Sequence, residues 1–290
     1  MNRAMLNYSL LYTEHLSDGD LDVIARASGV GRRSEDLRAH LRENPREIDR
    51  HLASPELFEA LFGDGPAIEA AITPFLTFGV LVNRSAQDLE KTTHVSEFVG
   101  AGRRLPVFDA ASLRKFIDDA VRRYFVIEFL ASFTRVASGT MWVRTRRGYR
   151  RRRFSELDPV RMVELVERMP PEQRPAGYRR LGDVALFLSG VFPDHTAGNP
   201  LGAVERQLLA RSAGLDPEVV LGGGDDLEFL EAAGTNWYHR AVEVAHALVG
   251  AGPEHLREVA ENFTAARRFL NFLTDRYLFR FETGLARPHG

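Results

Sequence analysis

The sequence predicts a mainly α, multi-helix globular protein with one arginine-rich β-hairpin inserted at residues 140–154. First, apolar residues recur at helical spacing over most of the 290 residues, and Ser, Asp or Pro residues mark the helix starts. Second, β-branched and aromatic residues flank Arg147 and Gly148, where a glycine can supply the positive φ of a tight turn. An apolar content of 44% and a charged content of 27% are ordinary for a globular chain.

The N-terminal region, residues 1–64, has the pattern of a string of short helices. Ser17, Ser34 and Ser54 each precede residues that favour a helix N-terminus, because a serine oxygen can accept from the first free backbone amides. Residues 65–290 form the predicted helical core domain. We expect the two regions to make one compact unit.

Seven further helices are predicted in the core domain, at residues 73–90, 110–136, 159–168, 181–190, 201–213, 236–249 and 254–282. The most apolar of these segments should pack together, because a helix that is apolar nearly all round is buried. We therefore expect the centre of the protein to be built from residues 75–82, 124–133, 184–188 and 263–279.

The hairpin segment carries seven arginines and no acidic residue between Thr140 and Phe154. If Arg147 and Gly148 form a two-residue turn, Arg144 lies opposite Arg151, and arginines occur on both faces of the ladder. Like charges directly opposite one another destabilise a ladder by about 0.2–1 kcal/mol per pair. The segment therefore needs acidic neighbours or an anionic partner.

The sequence allows two kinds of anionic partner for these arginines. Within the chain, carboxylates such as Glu156 and Asp158 could pair with them, and a net charge of −2 with a pI near 6.5 is compatible with such pairing. Outside the chain, the hairpin would contact nucleic acid or an acidic protein surface, with guanidinium groups on anionic oxygens and aromatic rings on bases. The residues of this anion-binding prediction are Arg144, Arg146, Arg147, Arg150, Arg151, Arg152, Arg153, Trp142 and Tyr149.

A metal site is the alternative hypothesis. On one predicted helix, His239, Glu243 and His246 have the spacing i, i+4, i+7, which places them on one face. Glu128 and Asp183 lie inside apolar helices and could add oxygen ligands. The competing interpretation is that these groups are core polar residues paired with nearby arginines, as is common in helical bundles.

The composition excludes several classes of chemistry. With no cysteine, the chain can form no disulfide, iron–sulfur cluster or cysteine-ligated zinc site. It has no apolar stretch of about 18 residues and no secretory leader, so we expect a cytoplasmic protein without a membrane partner. It contains no P-loop and no Gly-x-Ser-x-Gly elbow, and we expect no cofactor.

The leading hypothesis is therefore a non-catalytic binding or assembly protein that contacts an anionic partner. The alternatives are a helical metal-binding protein or enzyme, and a structural subunit whose hairpin pairs with a second protomer in a homo-oligomer.

Overall fold

The computed structural model of the protein describes residues 12–29, 34–44, 46–63, 71–98, 104–136, 138–145, 148–216 and 225–278. It is mainly helical, as the sequence predicts, with the predicted antiparallel hairpin in the middle of the chain. None of the described helices combines the length and the apolar character that a bilayer span requires.

The helices and strands are, in chain order, α1 (Asp18–Ala27), α2 (Ser34–Glu43), α3 (Arg46–Leu52), α4 (Pro55–Phe62), α5 (Pro74–Glu90), β1 (Val95–Phe98), β2 (Arg104–Val107), α6 (Ala110–Ile117), α7 (Ala120–Ser132), β3 (Ser138–Thr145), β4 (Gly148–Ser155), α8 (Pro159–Val166), α9 (Arg174–Gly190), α10 (Pro193–Gly198), α11 (Ala203–Ala213), α12 (Asp226–Val249), α13 (Glu254–Glu261) and α14 (Phe263–Leu273). A short 3₁₀ helix covers Pro171–Gln173, and a π-helical turn, Thr274–Leu278, follows α14.

The chain forms two compact units that interleave in sequence. Unit 1 takes the described residues of Met1–Thr93, Ala110–Thr134 and Asp275–Gly290, and unit 2 takes those of His94–Asp109 and Arg135–Thr274. The predicted boundary between residues 64 and 65 stays a prediction, because residues 64–70 lie outside the described residues.

In unit 1, the buried carboxylate of Asp20 joins the starts of two helices. Its Oδ2 accepts from the Ser17 amide of the α1 capping box, while Oδ1 accepts from the Thr73 amide that precedes α5, each at 2.8 Å. The Thr73 hydroxyl also donates to Asp20, at 2.8 Å. Because a buried polar group needs hydrogen-bond partners, this contact fixes both helix N-termini at one point.

The apolar helices α5 and α7 pack together in unit 1, and the stretches predicted at residues 75–82 and 124–133 are largely buried. The single helix predicted over residues 110–136 is, however, wrong. The helix is interrupted between α6 and α7. There the Asp119 carboxylate accepts from the amides of Val121 and Arg122, each at 3.0 Å. An aspartate so placed caps a new helix rather than continuing the old one.

Unit 2 is built on the close packing of α9 against α12, which depends on two glycines. A Cβ atom at Gly182 would lie 2.5 Å from the ring of Tyr238, and one at Gly234 would lie 2.5 Å from the ring of Phe263. Both rings belong to buried side chains that have little room to move. The glycines therefore let α9, α12 and α14 approach more closely than any larger residue would allow.

Asp183 lies beside the first of these glycines and anchors the same contact. The Tyr238 hydroxyl donates to its carboxylate at 2.8 Å, and Arg179 lies 3.9 Å away. Burial, followed by the charge of Asp183, raises the pKa of Tyr238 well above its ordinary value, so the phenol keeps its proton and remains a donor.

A second hairpin, β1 with β2, is absent from the sequence-based predictions. Val95 pairs with Val107 and Phe98 with Arg104 in an antiparallel register. The strands are four residues long, and β2 contains Pro106, which removes a donor from a ladder. Val95 is buried, but the next residue on its face is the partly buried Glu97, so a charged residue stands where apolar alternation would continue.

The prediction of one terminal helix over residues 254–282 is also wrong. Asn262 separates α13 from α14, with φ −116° and ψ 24°, and its side-chain amide donates to the Glu258 carbonyl at 2.7 Å. Asparagine competes for helix backbone groups in this way, which ends one helix and lets the next start at a new angle. Residues 279–282 lie outside the described residues.

We predict that Gly182→Ala destabilises unit 2 by up to about 2 kcal/mol, because overpacking a core costs about 1–3 kcal/mol and alanine regains about 1 kcal/mol of helix propensity. Urea unfolding followed by the fluorescence of buried Trp237, in a Trp142→Phe background, measures this loss. The control is Gly198→Ala, where a new Cβ would meet no atom within 4 Å. Equal stability of the two variants would contradict the close helix contact.

Candidate functional site

The register of the arginine-rich hairpin differs from the predicted one. Thr145 pairs with Gly148, Arg144 with Tyr149 and Trp142 with Arg151. The predicted pairing of Arg144 with Arg151 is therefore wrong. No described pair of this ladder joins two arginines, which removes the direct like-charge opposition that the predicted register would have imposed.

The correction shifts the pairing by two residues and leaves every residue on its predicted face. In an antiparallel ladder, opposed residues share a face, as do residues two apart along a strand. One face therefore carries Trp142 and Arg144 of β3, together with Tyr149 and Arg151 of β4, in two neighbouring cross-strand pairs. In the backbone register, Arg144 and Arg151 are thus each the Cα partner of an aromatic residue.

The rest of the ladder pairs the remaining arginines with other residue types, with Val143 opposite Arg150, Met141 opposite Arg152 and Thr140 opposite Arg153. For β3 and β4 the structure describes the backbone positions of these predicted site residues. Their side chains from residue 138 to 154 lie outside the description, as do Arg146 and Arg147 altogether.

Strand β4 leads directly into α8, and two carboxylates organise this junction. Asp158 accepts from the Arg161 amide at 3.1 Å and caps α8, while Glu156 lies 2.9 Å from Arg180 of α9. Glu156 and Asp158 are the carboxylates that the sequence analysis names as possible partners of the hairpin arginines within the chain. Their described contacts are with α8 and α9, so they connect the base of the hairpin to the helical part of unit 2.

The residues of the predicted metal site all lie in the second half of α12. His246 is exposed and its Nε2 lies 2.5 Å from Glu254 in α13, while Glu243 is exposed and His239 is partly buried. Across the described part of the chain, no group of three His, Asp or Glu side chains is placed to hold a metal ion. The structure therefore does not bring His239, Glu243 and His246 together as a ligand set.

The best-defined charged cluster in the described residues is one that the sequence did not reveal. Arg267 of α14 is 8% exposed and contacts Glu97 of β1 at 2.5 Å and Glu231 of α12 at 2.7 Å. The neighbouring Arg268 contacts the other oxygen of Glu97 at 2.8 Å and reaches Asp109 at 2.9 Å. Two adjacent arginines thus tie the β1–β2 hairpin to two helices of unit 2.

These ion pairs keep Glu97 charged. Burial alone would raise its pKa, but the hydrogen bonds from Arg268 and Arg267 outweigh burial and hold the pKa of Glu97 below its ordinary value. The stabilisation from this carboxylate is complete above its ordinary pKa, and it is lost as the pH falls through the lowered one. Glu97 is therefore ionised at neutral pH.

A cleft of about 740 Å³ opens beside this cluster. One wall is the first half of α12, including Glu228, Glu231 and Asn236, and the facing wall contains Arg267 and Arg268 of α14. Such a volume lies within the range of about 300–1,000 Å³ for small-molecule sites. The only local sign of this cluster in the sequence is the adjacent pair Arg267 and Arg268. Glu97 and Glu231 lie far from this pair along the chain and contact it only after folding.

Comparison of the chain with known protein families, with curated proteins and with solved structures found no match. The function must therefore be argued from the chemistry of its own residues rather than from the fold.

We predict that Arg267→Met lowers the free energy of unfolding by about 1.5–3 kcal/mol, because Glu231 loses its arginine and Glu97 keeps only Arg268. Urea titration measures the change. The control is Arg257→Met, which removes an exposed pair with Glu254 and should cost less than about 1 kcal/mol. Similar losses in both variants would mean that the cluster does not hold unit 2 together.

Proposed function

We propose that the protein binds nucleic acid through the hairpin of β3 and β4, with single strands as the preferred form. The observation that carries the proposal is the register, which pairs Arg144 with Tyr149 and Arg151 with Trp142 on one face. Single-stranded nucleic acid offers two complementary features, phosphates for guanidinium groups and exposed bases for aromatic rings.

The charge of the hairpin supports an anionic partner. Residues 140–154 carry seven arginines and no acidic residue, whereas the whole chain has a net charge of −2, so all other residues together carry −9. The positive charge is thus concentrated in one segment of an otherwise acidic protein. Such a segment orients an anionic polymer toward itself and away from the remaining surface.

The residue types favour phosphate oxygens among anions. Arginine has a planar fork of donors that can engage two oxygens at once, and it also stacks on aromatic planes. The chain uses arginine at 36 of its 38 basic positions, so arginine in place of lysine carries little weight by itself. The specific support is the presence of Trp142 and Tyr149 in register with two of these arginines.

The aromatic residues separate nucleic acid from the other anionic partner, an acidic protein surface. Carboxylates would neutralise the arginines but would give Trp142 and Tyr149 no matching groups. A base stacked on an aromatic side chain contributes about 1–3 kcal/mol, and the contact tolerates any sequence. An acidic protein partner therefore becomes an outcome of the test below.

We predict that the quadruple variant Arg150→Gln, Arg151→Gln, Arg152→Gln, Arg153→Gln loses most of the affinity for a labelled oligothymidylate. Fluorescence anisotropy over a series of salt concentrations measures both affinity and its salt dependence. Each lost phosphate contact on a single strand should reduce the slope of log K against log salt by about 0.7, so the slope should fall by up to about 3.

A matched control keeps the same change in charge. Arg42, Arg50, Arg168 and Arg211 are exposed arginines outside the hairpin, and their replacement by glutamine should leave most of the affinity in place. Trp142→Ala should weaken binding with little change in the salt slope, because it removes stacking and no charge. Equal losses in the hairpin and control variants, or no binding by the unmodified protein, would refute the proposal and leave an acidic protein as the partner to seek.

A further inference from the structure

We propose that a buried polar site in unit 1 binds a single water molecule, which joins α3, α5 and α7 to the residues that precede α1. The side chains of the site are Tyr12, Asp49, Asn83 and Arg123, which all belong to unit 1. The proposal is independent of nucleic-acid binding by the hairpin. It rests on two buried polar atoms that bond to no described group, and on the lengths of the contacts around them.

Tyr12 contributes a buried hydroxyl to this site. The residue is 4% exposed, and its ring lies edge-on to the rings of Phe75 and Tyr124, with centroid distances of 5.7 and 5.1 Å. Within the described part of the chain the hydroxyl makes no hydrogen bond. Burial, followed by the charge of Asp49, raises the pKa of Tyr12 above its ordinary value, so the phenol keeps its proton. A buried donor of this kind is costly unless it finds an acceptor.

Asp49 of α3 provides the second unpartnered atom. Its Oδ1 is buried and accepts no hydrogen bond from any residue that the structure describes. Arg123 Nη1 lies 3.7 Å from this oxygen, which makes an ion pair but is too long for a hydrogen bond. Because the charge of Asp49 acts on the Tyr12 hydroxyl, the unpartnered donor and the unpartnered acceptor lie in the same region of unit 1.

Arg123 and Asn83 supply the other polar groups, and both side chains are held in place. Arg123 donates from Nε to the Ile117 carbonyl and from Nη2 to the Asp118 carbonyl, each at 3.1 Å. The buried Asn83 donates to the Gly79 carbonyl at 2.8 Å, and its Oδ1 lies 3.5 Å from Arg123 Nη1. At such a length, a water between the two groups makes better hydrogen bonds than the groups make directly.

The mixture of charges selects a neutral ligand. An anion would be repelled by the Asp49 carboxylate, and a cation would be repelled by the Arg123 guanidinium. Water can accept from the Tyr12 hydroxyl and from Arg123 Nη1, and it can donate to Asp49 Oδ1 and Asn83 Oδ1. A buried water makes about two to four hydrogen bonds of this kind. One water therefore satisfies both unpartnered atoms at once.

A high-resolution crystal structure of the full-length protein tests the site directly. We expect a water molecule within about 3.2 Å of both Tyr12 Oη and Asp49 Oδ1, which is the range of a hydrogen bond. A direct bond between the Tyr12 hydroxyl and Asp49 would overturn the proposal. An ion, a larger molecule or an empty space at this position would overturn it too.

Tyr12→Phe provides a test in solution, because the sign of its effect depends on the partner of the hydroxyl. If a water bridges the site, the variant loses a hydrogen bond, and Tm in differential scanning calorimetry should fall by about 2–4 °C. If the hydroxyl has no partner, its removal relieves a buried unsatisfied donor, so an unchanged or higher Tm would overturn the proposal. The reference is Tyr238→Phe, which removes a direct bond to Asp183 of 2.8 Å and should lower Tm.

Discussion

The contact between α9 and α12 is the constraint on which the rest of unit 2 depends. Gly182 and Gly234 admit the rings of Tyr238 and Phe263, and no side chain larger than hydrogen fits at either position without displacing a buried ring. From this contact, α9 extends to Arg180, which holds Glu156 at the base of the arginine-rich hairpin. The other half of the same packing, α12, forms a wall of the charged cleft.

Unit 2 limits repulsion between its arginines in two different ways. In the cluster around Arg267, opposite charges meet at short distances in largely buried positions, where one unpaired member would be far more costly than at the surface. In the β3–β4 ladder, like charges are kept out of direct opposition by a register that pairs each described arginine with a residue of another type. The first arrangement neutralises its arginines with carboxylates, and the second separates arginines along the ladder.

The helical fold and the central hairpin could be predicted because they leave local signals, namely capping residues, apolar periodicity and a strand-like segment around Gly148. The two helices that were predicted too long contain interruptions with no such signal. Asp119 and Asn262 interrupt predicted helices through side-chain bonds to nearby backbone that composition alone does not reveal. Glu97 occupies a partly buried strand position, and its partners lie far away in sequence, so neither the β1–β2 hairpin nor the charged cleft could be predicted. The arginine cluster was visible in the sequence, but its pairing depends on the register.

We propose that bases stack on the face of the β3–β4 hairpin that carries Trp142 and Tyr149. Ultraviolet crosslinking of oligothymidylate to the unmodified protein, followed by peptide mapping, tests this contact directly because it locates the amino acids that touch the bases. We expect crosslinks at Trp142 or Tyr149, which share a face with Arg144 and Arg151 in the observed register. Crosslinks confined to other parts of the chain, under conditions where the oligonucleotide is fully bound, would contradict it.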